Sequence, residues 1–166
     1  MYRKRGRMSF QLINVGIADL HVTVHPNVLR TILGSCVGVC IYDPKMKNIG
    51  MSHVMLSELN NPQGNPKKYA DTAIPMLIGE LKNSGSDVSS LVAKIIGGAS
   101  MFKMGANSMM GDIGRKNVQK VKEVLQSYSI PIIAEDTGGD YGRTIDFFSS
   151  DGLVKVKSIG REEKNL

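Results

Sequence analysis

The chain has 166 residues, 42% hydrophobic and 22% charged, which suits one globular domain with a sizeable core and excludes a disordered or fibrous chain. No apolar run approaches the roughly 20 residues of a membrane span, and no long apolar stretch follows the basic N-terminus. Neither membrane insertion nor a secretory signal is therefore expected, and the expected compartment is the cytoplasm. Of the net charge of +6, Arg3, Lys4, Arg5 and Arg7 supply four in a segment expected to be a flexible tail, residues 1–9; with 5% aromatics and no Trp besides, nucleic acid is not an expected partner.

Residues 10–17 and 19–24 read as two short strands, and residues 29–33 as a third apolar run closed by Gly34-Ser35. From Cys36 to Tyr42 the pattern alternates. Val37, Val39 and Ile41 face one way, toward the main core, and Cys36, Gly38, Cys40 and Tyr42 the other. Residues 51–56 form the next strand, with His53 and Met55 sharing a face. A polar loop, 57–68, precedes a helix over 69–82 whose stripe is Ala73, Ile74, Leu77, Ile78 and Leu81. Pro75 predicts a late start or a kink. A strand over 91–96 ends in Gly97-Gly98, and residues 100–111 form a Met- and Gly-rich loop. A second helix spans 115–128 with Val118, Val121, Val124, Leu125 and Tyr128 inward. Residues 130–134 are a strand, 137–143 a turn-rich loop, and 144–148 and 153–157 a hairpin across Ser150-Asp151-Gly152. Eight or nine strands and two helices make an α+β domain with mixed sheets over residues 10–158, followed by a C-terminal tail, 159–166.

The chemistry-bearing pair is Cys36 and His53. A hairpin joining their strands brings a thiol and an imidazole together, as a cysteine nucleophile and its base require. The same residue types also suit a buried small hydrophobe and a satisfied core histidine, so spacing leaves both readings open. The tight turn at Gly34 and Ser35 is a place for backbone N–H groups to meet a developing oxyanion. Of the groups able to orient His53, Thr31 lies on the approach to that turn, whereas Asp43 and Glu58 sit at strand ends. Cys36, Cys40 and His53 lack zinc-type clustering, so no metal is expected. Gly97-Gly98 matches no nucleotide loop and suits a tight turn. The methionines of the 100–111 loop suit either a pliable partner surface, centred on Met101 and Phe102, or a cover over the core.

The order Leu33-Gly-Ser-Cys-Val37, Ser52-His-Val-Met-Leu56, Tyr69-Ala-Asp-Thr-Ala-Ile-Pro75, Lys94-Ile-Ile-Gly-Gly-Ala-Ser-Met-Phe102, Ile113-Gly-Arg-Lys-Asn117 and Asp136-Thr-Gly-Gly-Asp-Tyr-Gly-Arg143 resembles the bacterial chemoreceptor glutamine deamidase family, CheD. The resemblance runs from about residue 10 to 158, with Ser57 as a departure where the family commonly has Pro. It implies a sandwich of mixed β-sheets flanked by helices, similar to deamidating toxin catalytic domains. It implies hydrolysis of glutamine side chains on the cytoplasmic helices of chemotaxis receptors, without a cofactor. It also implies a CheC-type phosphatase as partner; a protein acting mainly as a non-catalytic regulator of that phosphatase is the alternative. Carried over by position, Cys36 is the nucleophile, His53 the base and Thr31 the third residue, with Arg30 as its neighbouring alternative.

Overall fold

The computed structural model describes residues 9–101 and 112–166. Its elements run β1 (Leu12–Asn14), β2 (Leu20–Val24), β3 (Val28–Leu33), β4 (Val37–Asp43), β5 (Asn48–Val54), α1 (Ala70–Asn83), β6 (Val92–Gly97), α2 (Ile113–Ser127), β7 (Ile132–Thr137), β8 (Arg143–Phe148), β9 (Val154–Lys157) and β10 (Lys164–Asn165). The strands form two five-stranded sheets, ordered β1-β3-β8-β9-β10 and β2-β5-β4-β6-β7. The β1–β3 and β6–β7 pairs are parallel and the others antiparallel, so both sheets are mixed. The two sheets pack face to face. Both helices lie on the second sheet, so the expected flanking occurs on one side only.

Two cores follow from this layering. Between the sheets lie Leu29, Leu33, Cys40, Ile49, Met51, Ile145 and Phe147. Between the second sheet and the helices lie Val37, Val39, Ile41, Leu77, Leu81 and Leu125. Each fully buried Leu or Ile side chain contributes about 1.5–3 kcal/mol, so both layers are substantial. The expected division of β4 holds: its β-branched residues face the helices, while Cys40 faces the other sheet. Strand β5 is buried along its whole length, as an interior strand between β2 and β4 should be.

Several boundaries differ from expectation. Strand β5 begins at Asn48 and ends at Val54, leaving Met55 and Leu56 outside it; Leu56 instead bridges to Tyr69. The 57–68 loop contains a 3-10 turn, Pro66–Lys68, whose first free N–H groups include that of Lys67, capped by the Asn65 side chain. Helix α1 starts at Ala70 and contains Pro75 rather than starting after it, and its predicted stripe is buried as expected. In α2 the predicted stripe packs on the core through Val118, Val121, Val124 and Leu125, the buried face extends to Gly114 and Asn117 in the N-terminal turns, and Tyr128 is exposed. The C-terminal segment is not all tail: β10 pairs with β9, and Leu166 exchanges backbone hydrogen bonds with Val154. Phe102 and most of the 100–111 loop, with residues 1–8, lie outside the described residues. Among the described residues no helix is long and apolar enough to cross a membrane.

Candidate active site

Cys36 lies in the bend between β3 and β4, one residue before β4 begins. Three successive carbonyls of that bend are tied down. Gly34 O accepts from Ala99 N (3.0 Å), Cys36 O from Gly98 N (2.8 Å), and Ser35 O from the Asn117 side-chain amide (3.2 Å). These bonds set the peptide planes of the bend. Among the described residues nothing on another residue accepts from the Ser35 or Cys36 N–H. The partner segment after β6 needs glycine. Gly97 has φ +108°, and a Cβ there would overlap the Cys36 carbonyl oxygen. Cys36 is half-buried, and that burial pushes its thiol up from the ordinary value, with its own backbone N–H pulling the other way.

His53 sits on β5 directly opposite Gly38 of β4, so Cys36 is its diagonal neighbour on the same face. That face looks toward the first sheet, where β3 presents Thr31, itself buried. The Thr31 hydroxyl lies 2.7 Å from His53 Nδ1 and 2.7 Å from the Val15 carbonyl oxygen. The carbonyl is only an acceptor, so the hydroxyl donates to it and offers its lone pairs to the ring. Nδ1 must then carry the hydrogen, which leaves Nε2 of the neutral ring unprotonated. The His53 backbone is anchored too: its N–H donates to Asp19 O and its carbonyl accepts from Ala18 N. Burial lowers the imidazole pKa, and the Val15 carbonyl opposes it more weakly. Both shifts favour neutral thiol beside neutral imidazole in the resting protein.

The other candidates fall elsewhere. Arg30 forms a two-pronged ion pair with Asp146 (2.5 and 2.7 Å) and does not hold the ring. Asp43 accepts from Lys45 N and Met46 N in the β4–β5 turn, at the far end of those strands from His53. Glu58 pairs with Lys120. Cys40 shares the inward face with Cys36 but is fully buried, which pushes its thiol far up. Met101 is 45% exposed, and its side chain lies over Gly34, 3.4 Å from where a Cβ would stand. A groove of about 600 Å³ runs along α2 past Arg115 and Gln126 to Gly98, beside the Cys36 bend rather than over it. Residue-level reasoning missed one participant, Asn117. Its sequence signals are its place at the end of the Ile113-Gly-Arg-Lys-Asn117 motif and its polarity on the apolar side of α2.

A family model described as CheD chemotactic sensory transduction matches residues 55–158, a span that begins just after His53. Full-length relatives extend the match across the site. A protein of Caldanaerobacter subterraneus subsp. tengcongensis, named probable chemoreceptor glutamine deamidase CheD, is 48% identical over 162 residues, covering 96% of this chain and 100% of its own. Proteins of the same name from Clostridium novyi (47% over 151 residues; 89% of this chain and 93% of that one) and Lachnoclostridium phytofermentans (45% over 159 residues; 94% and 99%) match similarly. Among solved structures, the Bacillus licheniformis hypothetical protein YfiH aligns with a TM-score of 0.46 at 15% identity, over 75% of this chain and 58% of that one. A likeness at that level carries no argument, and the fold class rests on the sheets described above.

Proposed function

This chain belongs to the CheD family, and from that premise we propose that it is a cysteine amidohydrolase that deamidates selected glutamine side chains of chemoreceptors to glutamate. The observation that carries the catalytic reading is the hydrogen bond between Thr31 and His53 across the two sheets, one strand from Cys36. In this reading the Cys36 sulfur attacks the glutamine carbonyl carbon while His53 Nε2 takes the thiol proton. Burial disfavours the charged form of each group, which favours a proton that moves with the attack. The C–N bond then breaks, the imidazolium returns the proton to the nitrogen, and ammonia leaves. Water adds to the resulting thioester, giving its proton to His53, and the C–S bond breaks to release glutamate and the thiol. Thr31 keeps a hydrogen on Nδ1 throughout, so that Nε2 is the atom that takes and returns the proton. The Ser35 and Cys36 N–H groups are the donors for the oxyanion.

The partner we propose beside the receptor is a CheC-type phosphatase. Met101 supports this, being half-exposed and seated directly on the nucleophile bend. A protein that docks on Met101 covers Cys36, so phosphatase and receptor exclude one another. The test of function is incubation of the protein with a receptor cytoplasmic fragment and mass spectrometry of its glutamines. Conversion of a subset of them to glutamate is expected. An unchanged fragment, under conditions where it binds the protein, would contradict the proposal.

A further inference from the structure

We infer that Asn117 is a positioning residue for the deamidation step, holding the Cys36 bend in register with the strand that carries His53. This rests on the assignment of Cys36 and His53 above. Asn117 lies in the second turn of α2 and is only 1% exposed. Its side-chain nitrogen donates to two backbone carbonyls, Ser35 O at 3.2 Å and Met55 O at 2.9 Å. Ser35 immediately precedes Cys36, and Met55 follows His53 by two residues. One amide group therefore spans the exits of both functional segments. Its two hydrogens match its two acceptors, and no other neutral side chain of this size offers that pair.

The helix that carries Asn117 is fixed against the same segment. Gly114, one turn earlier, packs so closely that a Cβ would overlap Gly98 O and lie 2.7 Å from Ala99 O. Gly98 and Ala99 in turn donate to the carbonyls of Cys36 and Gly34. The bend is thus gripped from one side by the Gly98-Ala99 backbone and from the other by Asn117. Of these contacts, only the Asn117 amide also reaches the segment that leaves the His53 strand, at Met55. A nucleophile displaced by about 1 Å relative to its base loses on the order of 10²-fold in rate. That is the loss expected when the amide is removed.

The experiment compares Asn117→Ala, Asn117→Asp and Asn117→Leu with wild type, each assayed where circular dichroism shows it folded. The readouts are kcat and KM on a receptor cytoplasmic fragment and the pH profile of Cys36 alkylation by iodoacetamide. Asn117→Ala is expected to lower kcat about 10²-fold, with KM changed less than about threefold. Asn117→Asp, nearly identical in size, is expected to lose more, because a carboxylate faces two carbonyl oxygens. The alkylation profile is expected to move toward that of His53→Ala. Asn117→Leu fills the volume without donors and is expected to behave like Asn117→Ala; it also decides the matter if Asn117→Asp does not fold. Wild-type kcat in Asn117→Ala would show that the side chain has no role in turnover, and recovery in Asn117→Leu or Asn117→Asp would show a space-filling role; either result overturns the inference. Cys36→Ala run alongside separates the two levels. Turnover by Cys36→Ala removes the premise, whereas an inactive Cys36→Ala beside an unimpaired Asn117→Ala removes this inference alone.

Discussion

Thr31 is a hydroxyl in a place where better-known cysteine enzymes use an amide or a carboxylate. It has no charge with which to stabilise an imidazolium, so the contribution proposed for it is orientation. Its donor is committed to Val15 O, which leaves it able only to accept from His53 Nδ1. Thr31→Val keeps the shape and removes the acceptor. The expected loss in kcat is about 10-fold to 10²-fold, smaller than the 10²-fold to 10⁴-fold typical of removing a general base, here His53→Ala. Steady-state turnover of the receptor fragment measures both. Equal losses in the two variants would mean that Thr31 does more than orient the ring.

The same residues set a pH dependence. His53 has a folded pKa below its unfolded value of about 6.5. As pH falls below about 6.5 the unfolded chain takes up the proton first, so stability declines until the folded pKa is passed. Cys36 runs the opposite way: its folded pKa is above the ordinary thiol value, so stability declines once the pH is alkaline enough to ionise the unfolded thiol. Thermal melts between pH 5 and pH 7 are expected to show the acid decline in wild type and a weaker one in His53→Gln. Turnover is expected to fall only at the lower end of that limb, as pH drops through the folded pKa, because a protonated Nε2 cannot accept the thiol proton. An acid limb of melting temperature identical in the two proteins would contradict the assignment.

Among the elements, β7 and β8 belong to different sheets and are joined by an ion pair. Arg143 of β8 is 1% exposed and donates to Asp136 of β7, which Lys164 of β10 also reaches. The Arg143 guanidinium stacks on Tyr141, and Arg161 lies on that ring as well. Removing one partner of a buried pair strands the other charge, so Asp136→Ala is expected to destabilise by about 3–5 kcal/mol in a denaturant melt. A change under about 1 kcal/mol would show that water or Tyr141 already satisfies Arg143. This link was invisible in the sequence, and the reason is general. Alternation assigns a side chain to a face, which is how Val37, Val39 and Ile41 are turned toward the main core and Cys36 away from it, while the hairpin brings Cys36 and His53 together. It says nothing about which sheet a strand joins. The separation of β3 from β4 into facing sheets, the parallel pairing of β1 with β3, and the return of β10 onto β9 are all long-range choices. Asn117 was obscure for a related reason. A polar residue on an apolar helix face has a readable anomaly, but its partners are backbone carbonyls, which carry no sequence signature. Thr31 was singled out by its nearness to the Cys36 turn and by family resemblance; that its hydroxyl meets the ring across the sandwich depends on sheet packing.

At the scale of the whole molecule, the site is assembled from both sheets and a helix. Thr31 comes from the first sheet, His53 from the second, Cys36 from the bend crossing between them, and Asn117 from the helical layer. Any separation of the two sheets breaks the contact between Thr31 and His53. The outer rim of this assembly is Met101, and Met101→Glu is expected to weaken both receptor deamidation and phosphatase binding while leaving the melting temperature near that of wild type. The claim on which everything else depends is that Cys36 is the nucleophile and Cys40 is core. It is tested most directly by mass spectrometry of receptor-fragment glutamines after incubation with wild type, Cys36→Ala and Cys40→Ser. The account predicts glutamate formation by wild type and by folded Cys40→Ser, and none above background by Cys36→Ala; glutamate formed by Cys36→Ala at the wild-type rate would contradict it.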